Sequence, residues 1–397
     1  MSHFDDRDVV LKGTYLSGKQ IDLIVTGGIA SIECPRLVRE LRRFGAQVRV
    51  VMTDAATKFV SPLVFEWASK NSVVTDLTGS AEHITSADAV VIAPCSLDFL
   101  TKVSLGLADS AAATLVQSAL GRKPVIIATS MHSSLEQNPI FQQNKKTLQK
   151  IPGVFLLEPL SAEGKVKMQS IEEMAERICH VAGAKSKVRG RSIALSLGPT
   201  RSKIDDVRYI SNFSTGSLGL AIANEFFRRG AVVHAIAGPV QVSLPKTLSV
   251  YSVTTNAEMK SEFQEVIRKE KPVAAIFAAA VLDFEIQKRL KGKSSSKDSL
   301  SVSLKPTSKL INEIKVKGLL RVGFKLESDV TVDELWKSAR SSFKSNKCDL
   351  LVANRLEDVR SDSHEAYLFS NGKSDPILMV GREAIARELA DAIESKI

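Results

Sequence analysis

The sequence predicts an α/β protein of two doubly wound domains. Three observations carry that expectation. Short Val/Ile/Leu-rich runs alternate with helix-like segments from Gln20 to the end, and such alternation builds parallel sheets covered by helices on both faces. The 397 residues suffice for two hydrophobic cores of ordinary size. A small, basic stretch, GAKSKVRGR at 183–191, reads as a linker and sets the domains at residues 1–185 and 190–397.

In the first half, IDLIVTGG leads into a helix around Pro35 to Phe44, followed by the strand QVRVVMT. The strand ADAVVIAP precedes a helical stretch near Ala108 to Leu120, and PVIIATSM follows. The half closes with a helix from Ile171 to Ala182. The second half opens with a strand from Ser192 to Leu197 and a turn at Gly198-Pro199. A glycine-bearing loop, Asn212 to Gly219, feeds an apolar-periodic helix, and Val232 to Ala237 is the next strand. Later strands are VAAIFAAAV, LLRVGF and DLLVAN, with a final helix from Arg382. KRLKGKSSSKDSLS, at 288–301, is charged and serine-rich and reads as a mobile surface loop.

Composition narrows the class. Charged residues at 25% and hydrophobic ones at 44% are ordinary globular values. No apolar run approaches the roughly 18–20 residues that span a bilayer, and the start, MSHFDDRDVVLKG, is not a signal peptide. A cytoplasmic enzyme without a membrane partner is expected. Cys34, Cys95, Cys179 and Cys348 are scattered, which suits reduced thiols better than a disulfide frame or a zinc site. The formal charge of +10 is spread out, with no long basic run and only 6% aromatics. Anionic small-molecule substrates or a basic surface explain it as well as nucleic acid does.

The chemistry concentrates in a few loops. Residues 198–239 form a strand–loop–helix–strand unit, which sets backbone N–H groups and a helix start beside a phosphate. The spacing departs from GxGxxG. Arg208, Ser211, Asn212, Ser214 and Thr215 make the loop polar enough for several anionic groups. In the first half, TGGIAS (26–31) lies between a strand and a helix, where Gly27 and Gly28 permit close backbone approach to a phosphate. His83 precedes a strand, a place where a lone histidine is commonly a surface or cap residue.

The stretch from Gly198 closely resembles the phosphopantothenate–cysteine ligase domain of bifunctional coenzyme A biosynthesis proteins. Their pattern runs approximately G-x-T-x-x-x-I-D-x-V-R-x-I-[ST]-N-x-S-[ST]-G. This chain offers Gly198, Thr200, Ile204, Asp205, Val207, Arg208, Ile210, Ser211, Asn212, Ser214, Thr215 and Gly216. The first half resembles the flavin-containing cysteine decarboxylases that usually partner this ligase, through TGGIAS, VMTDAATKFV, VIAPCSLDFL and the ADSAAAT run. The resemblance implies a flavodoxin-like flavoprotein domain followed by a Rossmann-like ligase domain.

It also implies ligands and roles. FMN would lie at Gly28, Ile29, Thr53, Ser96 and Thr114, with His83 as the catalytic histidine. In the ligase half, Asn212 and Arg208 would hold an acyl-nucleotidylate formed from 4′-phosphopantothenate and CTP, which L-cysteine then attacks. Ala279, Ala280, Asp283, Lys305 and Phe324 would meet substrate or nucleotide, as would Lys344 and Lys347, with Lys293 on a closing loop. Mg2+ or Mn2+ would accompany the nucleotide. The family's assembly implies a homo-oligomer, trimeric through the first domain and dimeric through the second, up to a dodecamer.

Two departures stand out. The common bacterial form grips the substrate carboxylate with an Asn of a Pro-x-Met-Asn motif. Here the segment reads Thr129-Ser130-Met131-His132, which leaves His132 as carboxylate ligand or as a structural histidine. That form also carries a proton-donating Cys in a clamp loop. Here Glu158 to Met168 contains none, and Lys165 or Lys167 would serve the clamp, as in a divergent, archaeal-like variant. Two other readings stay open. One is a ligase with a non-catalytic flavin-binding oligomerisation domain, and the other is a basic nucleic-acid-binding or regulatory protein.

Overall fold

Strand β1 (Gln20–Val25) lies second from one edge of the first sheet, between β2 (Gln47–Met52) and β3 (Ala89–Cys95). Beyond β3 come β4 (Val125–Thr129) and β5 (Val154–Leu156), and all five strands run parallel. In this computed structural model the described residues are 5–162, 165–293, 300–314, 316–359, 363–371 and 375–397. They divide into two units, Met1–Ala184 and Lys185–Ile397.

The strands read as unbroken apolar runs because both faces are covered. Ile21, Leu23 and Val25 of β1 face one core, shared with the helices Cys34–Arg43 and Ile171–Ala182. Ile24 faces a second core, shared with the helices Leu97–Leu105 and Ala111–Ala119. One charge interrupts the pattern. Asp22 is fully buried, and it accepts two hydrogen bonds from Arg49, at 2.8 and 2.6 Å, and one from the Thr85 hydroxyl. A carboxylate is tolerated there because it is fully partnered.

The second unit repeats the plan in a larger sheet. Its strands are β6 (Ser192–Leu197), β7 (Val232–Ala237), β8 (Ser249–Ser252), β9 (Ala274–Phe277), β10 (Leu320–Glu327) and β11 (Leu350–Arg355). Two antiparallel strands, β12 (Glu365–Phe369) and β13 (Ile377–Val380), extend one edge, giving the order β8-β7-β6-β9-β10-β11-β12-β13. Helices Ser217–Arg228 and Arg382–Lys396 cover one face, and Asn256–Glu270 and Val332–Ser345 the other.

The stretch read as a linker is folded for most of its length. Val188 is buried in the core of the second unit, the Ser186 hydroxyl donates to Glu394 at 2.8 Å, and the Gly190 amide donates to the Gly230 carbonyl. One apolar side chain in a basic run was enough to anchor it. Of the loop at 288–301, residues 294–299 lie outside the described residues. Its first part is tied down, since the Gly292 amide donates to Asp206 at 3.0 Å and the Leu290 amide donates to the Ile204 carbonyl.

Candidate active sites

In each sheet the strand order reverses beside the first strand, between β1 and β3 in one unit and between β6 and β9 in the other. Such a switch point splays the following loops apart and opens a crevice at the carboxyl edge of the strands. In the first unit a cavity of about 850 Å3 opens there. The turn after β1 forms one wall through Gly27, Gly28 and Ile29, and Ser96 after β3 forms another. The turn is fixed by Thr26, whose hydroxyl donates to the Pro94 carbonyl at 2.8 Å and accepts from the Ser96 amide at 3.0 Å.

The cavity suits a flavin phosphate. A Cβ on Gly27 would come within 2.4 Å of the Ala55 Cβ, so backbone approaches backbone there. A Cβ on Gly28 would meet no protein atom within 4 Å and would fill the space a ligand needs. The chain then enters the short helix Ile29–Glu33, which starts at Gly28 without a side-chain cap, and runs on into the helix Cys34–Arg43.

The far wall is a three-stranded sheet. Its hairpin, Leu160–Ala162 and Lys165–Lys167, pairs with Met131–His132, and His132 lies opposite Lys165 in register. The altered clamp and the altered carboxylate segment are therefore one structure. His132, Leu160, Val166 and Lys167 all line the cavity. His132 Nδ1 lies 2.9 Å from the Ser134 hydroxyl and accepts the Ser134 amide at 3.3 Å, capping the turn Ser133–Glu136.

The structure brings Gly28, Ile29, Ser96 and His132 to this cavity, while Thr53, Thr114 and His83 do not line it. Thr53 is at the same sheet edge, one strand over, and caps Asp54–Thr57. The Thr114 hydroxyl turns back to the Ser110 carbonyl at 2.9 Å, inside its own helix. His83 is exposed, in the turn before β3. Two residues on, Thr85 bonds Asp22, and the Asp88 amide bonds the Gln20 carbonyl. Those contacts belong to the opposite, entering edge of the sheet.

In the second unit the loops after β6 and β9 are stitched together. The Ala280 amide donates to the Gly198 carbonyl at 2.9 Å, and Asn212 Nδ2 donates to the carbonyls of Ala280 and Val281 at 3.3 and 3.1 Å. Asp205 is buried and accepts the Val207 and Arg208 amides at 2.8 and 2.7 Å, while Arg208 pairs with its carboxylate at 3.5 Å. Gly216 starts the helix Ser217–Arg228 with φ of 84°, a left-handed conformation that glycine adopts without strain. Asn212, Arg208, Ala279, Ala280 and Asp283 thus lie on three linked loops at one crevice. Lys305 is drawn to Glu285 at 3.0 Å. Lys293 is exposed and follows the tethered Gly292.

Phe324 packs partly against the core shared with Val322 and Val352. Lys344 and Lys347 are placed elsewhere. Helix Val332–Ser345 runs back across the sheet, so its end and Lys347 stand before β11, at the entering edge. A different basic cluster lies on the other flank of this helix. Lys309, Lys325 and Lys337 line a cavity of about 400 Å3 with Ser338, Ser341 and Ser342. The Ser338 hydroxyl and the Lys325 ammonium beside Glu327 hold its carboxyl below the usual glutamate range. Sequence reasoning missed this cluster. Its signal was Lys and Ser recurring at helical spacing from Lys337, facing a strand lysine.

Among the described residues no group of three or more His, Cys, Asp and Glu is arranged to hold a metal ion, and no helix is long and apolar enough to cross a membrane.

Comparison with known proteins covers both units. Residues 11–183 match the flavoprotein family, and residues 188–397 match the DNA/pantothenate metabolism flavoprotein C-terminal domain. A coenzyme A biosynthesis bifunctional protein from Thermococcus kodakarensis is 35% identical over 396 residues, 97% of each chain. One from Haemophilus influenzae is 31% identical over 95% of this chain and 98% of its own. One from Methanocaldococcus jannaschii is 29% identical over 98% and 96% respectively.

Proposed function

This chain belongs to the family of coenzyme A biosynthesis bifunctional proteins, and on that premise we propose that it joins 4′-phosphopantothenate to L-cysteine and then decarboxylates the product to 4′-phosphopantetheine. The carrying observation is likeness along the whole chain, flavoprotein half first and ligase half second. Both crevices at the sheet switch points suit this order of domains.

In the second unit the ligation proceeds through an acyl-nucleotidylate, with CTP as co-substrate. Asn212, fastened to the Ala280 and Val281 carbonyls, holds the intermediate together with Arg208, Ala279 and Asp283. Lys293 approaches the α-phosphate from the tethered loop, Lys305 contributes from the short strand Leu304–Pro306, and Phe324 from β10. The Lys309, Lys325 and Lys337 cluster supplies positive charge for the phosphates more readily than Lys344 and Lys347, which stand at the entering edge. The donor set for a protein-held Mg2+ or Mn2+ is lacking among the described residues, so no step is assigned to a bound metal.

In the first unit the Gly27–Gly28 turn and the helix starts beyond it hold the phosphate of FMN, with Ile29 and Ser96 against the rest. FMN supplies the two-electron chemistry that turns the cysteinyl thiol into an electron sink for loss of carbon dioxide. His132 donates to the departing carboxylate from the cavity wall. Thr53, Thr114 and His83, which do not line this cavity, would serve the flavin of a neighbouring copy, and the reading therefore includes a homo-oligomer built from trimers of the first unit. Dimers of the second unit would extend that assembly up to a dodecamer. The four buried cysteines suit the cytoplasm.

The test is direct. Purified protein given 4′-phosphopantothenate, cysteine and CTP should release pyrophosphate and then carbon dioxide, and its visible spectrum should be that of a flavin. A colourless protein that releases neither overturns the reading. One observation favours a narrower one, in which the first unit binds flavin without decarboxylating: His83 lies away from its own cavity. Ready-made 4′-phosphopantothenoylcysteine separates the two, because carbon dioxide release rejects the narrower reading.

A further inference from the structure

Loss of carbon dioxide leaves an electron pair on carbon, and the carbon that carried the carboxylate must take up a proton before the product is complete. We propose that His132 delivers that proton, relayed through the Ser134 hydroxyl, so that one side chain first binds the carboxylate and then protonates the carbon it leaves. The proposal rests on the decarboxylase reading of the first unit.

Three observations support it. His132 lines the cavity on the wall formed with the hairpin. Its Nδ1 faces both the hydroxyl and the amide of Ser134, at 2.9 and 3.3 Å. Nδ1 is therefore the acceptor, and the hydrogen of the neutral ring sits on Nε2, the only nitrogen left for a ligand. No thiol of this unit can serve instead, since Cys34, Cys95 and Cys179 are all buried in the cores. Of the cavity's two acids, Glu33 is paired with Arg36 at 3.1 Å, and Glu172 stands in the first turn of the helix Ile171–Ala182, where a carboxylate is favoured over the acid that could donate.

The step balances. The bond to the carboxylate breaks, and its electron pair moves into the neighbouring oxidised thio group to give an enethiolate. A C–H bond then forms at the same carbon, with electrons from the enethiolate and the hydrogen from Nε2. The Ser134 hydroxyl passes its hydrogen to Nδ1 and takes another from water. The ring thus stays neutral, with water as the net source of the proton, and FMN, reduced when the thio group was oxidised, would return its two electrons to the sulfur-bearing carbon.

His132→Asn divides the two duties. Asparagine still donates to a carboxylate and still caps the turn, but it carries no transferable proton. With 4′-phosphopantothenoylcysteine in air, where dioxygen reoxidises the flavin left reduced when the product departs as enethiol, this variant of the full protein should still release carbon dioxide, more slowly than wild type. Mass spectrometry should then show the product mainly as the enethiol, lacking H2 relative to 4′-phosphopantetheine. Ser134→Ala should shift the product the same way but less. Ligase activity and flavin content of the same preparations report folding. If His132→Asn yields saturated product in the wild-type proportion, or if Lys167→Gln alone yields the enethiol, the proposal is overturned. If wild-type protein releases no carbon dioxide, the decarboxylase reading falls and takes the proposal with it.

Discussion

Asn212 is a donor to two carbonyl oxygens, those of Ala280 and Val281. An Asp there would face both with a carboxylate and would also repel a phosphate-bearing intermediate. Asn212→Asp should therefore let the acyl-nucleotidylate form but slow its transfer to cysteine. Pyrophosphate release measured with and without cysteine distinguishes the steps, and equal slowing of both would reject this role. In the proposed mechanism Lys293 would act earlier, on charge that develops at the α-phosphate. Lys293→Gln should cost about 2–4 kcal/mol, roughly 10²- to 10³-fold in the rate of pyrophosphate release. Wild-type release would make the loop a solvated surface. Gly238 is set by contact alone: an added Cβ would lie 1.8 Å from the Pro199 carbonyl oxygen, underneath the ligase crevice. Gly238→Ala should destabilise by about 1–3 kcal/mol or more, seen as a lower urea midpoint with ligase activity falling in step. Little of this was legible beforehand. Asn212 carried a motif, whereas Gly238 and Ser134 mattered only once strand ends and turns were brought together in space.

At the scale of elements, the ends of helices Ser217–Arg228 and Arg382–Lys396 are joined through Arg229. It bonds Glu225 at 2.7 Å and Glu394 at 3.1 Å, and Ser186 adds a second partner to Glu394. Burial alone would raise the Glu394 pKa, but the bonds from Ser186 and Arg229 outweigh it and hold the carboxyl below its ordinary value of 4.5. A carboxylate depressed in the folded state stabilises above its unfolded pKa and loses that contribution as pH falls through the folded one. The second unit should thus weaken as acid is added below about pH 4.5, and Glu394→Gln should flatten that slope in urea melts taken across pH. An unchanged slope would assign the acid sensitivity elsewhere. Arg229→Met should cost about 1–3 kcal/mol, seen as a lower urea midpoint, because the buried Glu225 loses its charged hydrogen bond of 2.7 Å. Element by element, β1 to β4, β6, β7 and β9 to β11 were readable as apolar runs, since strands covered on both faces carry no polar alternation. β12, β13 and the cavity hairpin were not, being only three to five residues long. Helices Asn256–Glu270 and Val332–Ser345 were overlooked although both open on a capping box, Thr255 with Glu258 and Thr331 with Glu334.

Each unit holds its own pair of cores, one on either face of its own sheet. A chain cut after Ala184 should accordingly give two folded pieces, with the flavin spectrum in the first and nucleotide-dependent pyrophosphate release in the second. A first piece that melts without cooperativity, or takes up no FMN, would contradict this. The architecture was legible because alternation of strand and helix survives across the whole chain. The edge on which a residue stands was not, and this is why His83 and His132 look alike in sequence but lie at opposite ends of one sheet. The burial of the thiols has a practical side. All four cysteines are buried, burial pushes the thiol pKa of Cys34 and Cys95 up, and that of Cys348 rises to about 11. Thiolates, the species that alkylating dyes attack, are scarce under native conditions. The native protein is therefore a silent background for maleimide chemistry. A single cysteine introduced by Lys291→Cys, on the exposed loop two residues before Lys293, would take a fluorophore alone, and its emission would follow the loop through each turnover.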